Sequence, residues 1–468
     1  LTGGSFLPLS SAPGDLWSHV GYGWRDLGLG FVGAADPFAY LLAIVGSIAF
    51  WSPSTALVAL YLSALPLAAL SAWLCAAALT TKPWLRVFAT VLWVLAPPFL
   101  GALDAGQSGA IIAHILLPWL IVAGLSASRS WSASAIASLV FAGIVAAAPS
   151  LWPALLILWL GAVIFSRRSI ARFIGIPFPA LVLFLPLAWN QFAAGNPWGL
   201  LADPGLPNSH SSVGVFELLL GLPEGGVSGW LTIGITAGLD LLIIQMVVAA
   251  LVAPLVILAF AALFVPGSRR AVVAILIALV GFSTAFGATL MAISSAESLE
   301  VTIWPGAGLS VYWLGLVGAA TCGLSFLPKF ARVSGLVAAV AIVALGFPLA
   351  ASTLVGTAAI KPSTGFLLPA FVTAEASSNP RVGTLVLVPQ MNGGLASSVV
   401  HGAGPTLDNQ TTLAATMDTV SPSNEELATL VGNLASRSGS EPALKLAQLG
   451  VEFVLLTPPA LGMATADA

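Results

Sequence analysis

Between Trp24 and Tyr40 the chain reads WRDLGLGFVGAADPFAY, which places Arg25, Asp26 and Asp36 within twelve positions. An arginine beside carboxylates is a combination suited to phosphate and proton chemistry. The guanidinium grips a phosphate through two parallel N–H bonds, and an acid takes the proton from an attacking hydroxyl. Asp26 and Asp36 are therefore the candidate catalytic acids, with Arg25 and His19 as candidate holders of a donor phosphate. Blander readings stand beside this one. Arg25 could pair with its neighbouring aspartates or lie along an interface with its charge in water. Asp36 before Pro37 is also what caps a helix start.

The same stretch carries a G-x-G-x-x-G at Gly28, Gly30 and Gly33. A dinucleotide fingerprint needs a strand before it, a helix after it and an acid about 20 residues on. The preceding GYGWRDL does not read as a strand, and no acid follows Asp36 until Asp104. In a chain with 47 glycines the match reads as turn and packing glycine.

A second group lies in 194–239, where Asp203, Glu217 and Trp198 are candidates for an acceptor groove, Trp198 by stacking on a sugar face. Asp203-Pro204-Gly205 is also a turn signal. His114, near the start of an apolar run, reads as a packed histidine. Asn409-Gln410-Thr411 is a glycosylation sequon by pattern alone. Cys75 and Cys322 both fall in apolar runs and read as small packing residues, with no disulfide framework. P-loop, H-E-x-x-H, C-x-x-C and G-x-S-x-G motifs are absent. No cofactor is indicated by motif, and a divalent metal is left open.

The elements that must position these residues follow from composition. Charged residues are 7% of the chain and hydrophobic residues 58%, with a mean hydropathy of +1.01. A water-facing surface needs far more charge, and apolar runs of about 20 residues are long enough to cross a bilayer as helices. The expected fold class is an all-α polytopic membrane protein of about ten transmembrane helices with a small C-terminal extracytoplasmic α/β domain. The spans are predicted at 54–80, 87–104, 110–127, 132–148, 150–166, 173–193, 240–264, 271–292, 308–327 and 334–355. Ten of the fifteen basic residues, from Lys82 to Arg332, fall in every second connection, which orients those connections to the cytoplasm. All eighteen acids and all four histidines then lie outside. No predicted span carries an ionisable group near its middle, which argues against a proton-driven pump. No basic stripe is present for nucleic acid.

The predicted organisation is an outer loop over 1–53, a helical bundle over 54–355 with its large outer loop at 194–239, and an α/β domain over 356–468. Within the first segment, 37–51 is apolar but short and is expected to be interfacial or re-entrant. VFELLLGL reads as a short interfacial helix. After residue 355, TLVLVP (384–389) and EFVLLTP (452–458) read as buried strands. SNEELATLVGNLASR (423–437) reads as a helix whose Ser423 and Glu426 form a capping box. EPALKLAQLG (441–450) reads as a second helix closed by Gly450. Leu1 opens a Gly-rich loop without a signal-peptide pattern, so the sequence is expected to be a piece of a longer chain.

GGSFLPL, LWSHVGYGWRDLGLGFVGAADPFAYLLAIVGS, KPWLRVFATVLWVLAPPFLGAL and HILLPWLIVAGL resemble the membrane half of a large actinobacterial multi-pass glycosyltransferase family, as do HGAGPTLDNQTTLAAT and LAQLGVEFVLLTPP. The resemblance implies a family-2 transferase domain on the cytoplasmic side upstream of this chain. It also implies a GT-C-like membrane region using a polyprenyl-phosphate sugar, a glycan acceptor, and a place in the bacterial cytoplasmic membrane with the C-terminal domain outside. The expected function is thus the membrane region of a glycosyltransferase for cell-envelope polysaccharide or glycolipid assembly. Its partners would be the lipid-linked donor, membrane lipids and the acceptor, with no nucleic acid. The alternative is a non-catalytic channel or flippase that exports the product of the fused transferase.

Overall fold

Long runs of Leu, Val, Ile and Ala become helices because a helix bonds its own N–H and C=O groups wherever water is excluded. The structure is a computed structural model. It describes residues 1–25, 27, 29–166, 169–207, 213–224, 229–265, 269–296, 299–326, 331–355, 359–361, 368–379, 381–389, 394–417, 422–436 and 442–457. Among them, seven helices are long and apolar enough to cross a membrane. They are Pro83–Ala105, Ser108–Ala127, Ile170–Ala193, Leu241–Phe264, Arg269–Thr289, Gly306–Phe326 and Ala331–Ala351. Many large apolar side chains on their outward faces are exposed, among them Leu185, Trp189, Met246 and Phe264. Exposed apolar area on this scale fits contact with lipid.

The other three expected spans are shorter. The run 54–80 breaks at Ser63 into Pro53–Leu62 and Ala64–Leu79. Those at 132–148 and 150–166 form the shorter apolar helices Trp131–Ala147 and Pro149–Phe165. The expected re-entrant segment is the helix Phe38–Ile48, which turns by 97° into Pro53–Leu62.

Small residues set the closest helix approach. An added Cβ on Gly281 would lie 2.3 Å from the Tyr312 nitrogen, and one on Gly315 would lie 2.3 Å from the Ala278 nitrogen. Gly308 faces Ala285 in the same way. Such a seam lets two backbones meet where lipid offers no hydrophobic push between helices. Deeper in the bundle, the His114 ring is stacked between Trp93 (centroids 3.8 Å apart) and Phe99 (4.3 Å). It also bonds Ser310 Oγ and the Trp93 carbonyl, as a packed histidine does.

At the acidic end, Gly23–Arg25 pairs antiparallel with Phe31–Gly33. GYGWRDL therefore does contain a short strand, contrary to the sequence expectation. Of the three glycines, Gly30, at φ +98, lies in the connection of this hairpin and Gly33 in its second strand. After residue 355 the strands Gly383–Pro389 and Val451–Leu456 pair parallel. A third strand, Leu395–His401, joins the other edge antiparallel and was not expected. Leu385, Leu387, Val399, Leu427, Val431 and Val451 make a separate core with the helix Pro422–Ala435. That helix starts at Pro422, so Ser423 lies inside its first turn and is not its N-cap. The next helix, Pro442–Gln448, is followed by Gly450 at φ +69, as expected. The short helix in VFELLLGL is Val215–Leu219.

The helix seam yields a paired test. Gly315→Leu should destabilise the protein by about 3 kcal/mol, at the upper end of overpacking costs, because backbone atoms block the new side chain. Gly287→Ala meets nothing within 4 Å and should be neutral or gain up to ~1 kcal/mol. Thermal unfolding of the two variants in one detergent separates them.

Candidate functional site

One strap, 405–416, gathers the polar groups of the acidic end. It is tied through one carboxylate of its own, Asp408, and one that lies far away in sequence, Asp36. Asp408 is 1% exposed and accepts bonds from Ser10 N (2.8 Å), Ser10 Oγ (2.6 Å) and His19 Nδ1 (2.6 Å). Asp36 is 4% exposed; it accepts from Thr412 N at 3.0 and 2.9 Å and from Thr412 Oγ1 at 2.7 Å. Thr411 Oγ1 donates to the Ala34 carbonyl and accepts from Leu413 N, capping the helical turn Thr412–Ala415. Leu407 N donates to Pro8 O. At the strap's far end Gln191 Nε2 and Asn196 Nδ2 donate to Thr416. The strap thus ties the N-terminal segment to the connection that follows Ile170–Ala193.

Arg25 lies on the hairpin at 2% exposure. Its Nη2 donates to the His19 and Gly21 carbonyls, while Nε and Nη1 have no partner among the described residues. Burial lowers its pKa, and the charges of Asp36 and Asp408 raise it again in part. Burial pushes the Asp36 carboxyl up to about 6 against the bonds from Thr412 and the charge of Arg25. Burial also pushes Asp408 upward, but the bonds from His19 and Ser10 outweigh it and hold its pKa below the ordinary value. A buried guanidinium, the His19–Asp408 contact and a second buried carboxylate, Asp36, therefore sit within one polar cluster.

Of the expected catalytic stretch, Asp36 is thus bonded by the strap and Arg25 is buried on the hairpin. Asp36 does not cap Phe38–Ile48, whose start has no side-chain cap; its oxygens serve the strap instead. Arg25 forms no close ion pair with an aspartate among the described residues and uses backbone carbonyls. Asp26 and Gly28 lie outside the described residues. Asn409 is buried, so its amide is not presented as a sequon.

A second cluster forms where the helix ends Pro97–Ala105 and Gly306–Phe326 meet the connections. Asp203 Oδ2 accepts the Trp304 N–H at 2.9 Å, and burial pushes this carboxyl up to about 7. The Trp304 ring stands against Gly306 and lies near Gly101, which Pro223 also approaches. The next residue, Glu224, has a pKa raised by burial and then by the like charge of Asp104. Gly205, at φ +99, completes the predicted turn and touches Leu407 of the strap. Trp198 is exposed on the turn Pro197–Leu201, and Glu217 is half-buried on Val215–Leu219. Among the described residues neither bonds Asp203. No three His, Cys, Asp or Glu side chains of the described residues are grouped to hold a metal ion.

No protein-family model, curated protein or solved structure matches the chain. The site therefore has to be judged on its own geometry. Sequence reasoning did not assign Asp408 and Thr412, although both stand in a quoted segment, because nothing local marks a partner more than 370 residues away. The Glu224–Asp104 proximity was hidden for the same reason.

Linkage fixes how the strap responds to pH. Asp36 titrates higher when buried than when free, so acid favours the strapped state from about pH 6 downward. Asp408 titrates lower when buried, so its stabilisation persists until pH falls through that depressed value. Hydrogen exchange at 405–416 should therefore slow between pH 7 and pH 5 once corrected for intrinsic rates, and Asp36→Asn should remove that slope. Asp408→Ala strands the Ser10 and His19 donors. By the cost of removing one member of a buried pair, roughly 3–5 kcal/mol, it should speed exchange there by about 100-fold or more.

Proposed function

We propose that this chain is the membrane region of a glycosyltransferase that acts at the acidic end of the bundle, with Asp203 as general base. The observation that carries the reading is the Asp203 carboxyl. It titrates near neutrality, its Oδ2 is oriented by the Trp304 N–H, and it sits where the connections meet the helix ends. A base is most effective when its pKa lies near the working pH. The donor in this reading is a polyprenyl-phosphate sugar that reaches the site from the lipid. Arg25, whose Nε and Nη1 have no partner among the described residues, would receive its phosphate once the strap lifts. His19 would be freed from Asp408 by the same movement, and Asp26 and Asp36 remain the alternative bases. Trp198 and Glu217 would border the path of a glycan acceptor.

In the same reading the basic end is cytoplasmic, and Trp131–Ala147 and Pro149–Phe165 are spans that bring the count towards ten. The elements after residue 355 then form an outer α/β domain. The stacked Trp93–His114–Phe99 rings fill the bundle interior and weigh against a continuous polar path, and so against export as the main activity.

The test is sugar transfer by membranes containing the chain, supplied with polyprenyl-phosphate sugars. Asp203→Asn should lower the rate by about 10²–10⁴. Wild-type activity should rise with pH through about 7, as for a base that must be ionised. Full activity in Asp203→Asn together with loss in Asp26→Asn would move the base to Asp26. Movement of a lipid-linked glycan across the membrane without transfer would support the exporter.

A further inference from the structure

A cavity of about 370 Å³ opens at the opposite, basic end of the bundle. This volume lies within the roughly 300–1,000 Å³ usual for small-molecule sites. Its walls come from Ala64–Leu79, Pro83–Val94, Ser108–Ala127, Arg269–Thr289 and Gly306–Phe326. They are almost wholly apolar. Deep inside stands Trp93, 1% exposed, with an indole Nε1 that has no partner among the described residues. At the rim are Leu79 and Cys322, each close to the end of its helix, and Arg269 and Arg270, which begin theirs.

The two arginines are exposed and form no ion pair among the described residues, and the lining contains no carboxylate. Their basic neighbours are occupied differently: Lys82 Nζ donates to the Ser325 carbonyl and Arg86 Nε to the Thr80 carbonyl. A deep apolar slot that ends at two uncompensated guanidinium groups matches an amphiphile with a long apolar chain and an anionic head. A free anion would have no use for the apolar walls, and a neutral lipid none for the arginines.

We propose that this cavity holds a chain of an anionic lipid whose phosphate rests on Arg269 and Arg270. The site is distinct from the acidic-end cluster and does not depend on the activity assigned there.

The full chain, reconstituted with equal amounts of phosphatidylglycerol and phosphatidylcholine and then re-extracted, provides the test, with retained lipid read by mass spectrometry. The wild type should retain phosphatidylglycerol in preference by about 10-fold or more. Arg269→Gln with Arg270→Gln should abolish the preference. Gly318→Leu should lower retention with both arginines intact, because an added Cβ there meets only Ala274 Cβ, at 3.5 Å, and the rest grows into the cavity. Equal retention of the two lipids by the wild type would overturn the proposal, as would a preference that survives the loss of both arginines or undiminished retention by Gly318→Leu. Displacement of the lipid by inorganic phosphate would overturn it in favour of a simple anion site.

Discussion

Two carboxylates buried at the acidic end have to be answered where they lie. Asp36 and Asp408 are almost inaccessible, and a charge removed from water is tolerated only when donors replace the lost hydration. Those donors are Ser10, His19 and Thr412. They come from both ends of the chain, so satisfying the charges forces the strap 405–416 against the N-terminal segment. Pro8, Ala34 and the helix Phe38–Ile48 are positioned with it, and the bonds from Gln191 and Asn196 extend the tie to the next connection. The arrangement at this end is therefore held by charge and hydrogen bonding, and only secondarily by apolar burial.

The bundle below is organised by other means. Its helices meet through Gly281, Gly308 and Gly315, and its interior is filled by rings stacked on His114. That interior carries little chemistry. Ionisable groups able to change protonation near neutrality are found where the helices end: Asp203 against Trp304, and Asp36 beneath the strap. This division explains why the proposed reaction is assigned to the acidic end. It also explains how a lipid cavity with a basic rim can exist at the other end without disturbing that site.

Much of the architecture was legible in the sequence. Uncharged runs such as LLIIQMVVAALVAPLVILAF specify helices by composition alone, and seven of the expected spans appear within a few residues of their predicted bounds. Where prediction failed, the reasons are physical. The run 54–80 breaks at Ser63, and hydropathy does not register a break that leaves composition unchanged. The strand Leu395–His401 was invisible because Ser397 and Ser398 interrupt its apolar pattern; its pairing with Gly383–Pro389 supplies what its own residues do not. GWR became a strand only because FVG lies opposite it.

The site divides in the same way. Sequence alone identified Arg25, Asp36 and Asp203 as polar residues out of keeping with an apolar chain, and the placement of basic residues assigned each connection to one end or the other. It could not determine what those residues face. Asp36, a candidate catalytic acid with a helix cap as its blander reading, bonds Thr412, 376 positions away. Arg25, a candidate phosphate holder by its residue type, is buried and bonds backbone carbonyls. Residue type and hydropathy are local properties, and they determined the apolar helices. Burial, the choice of hydrogen-bond partner and the resulting pKa depend on which distant segments share a volume, and only the tertiary structure decided those.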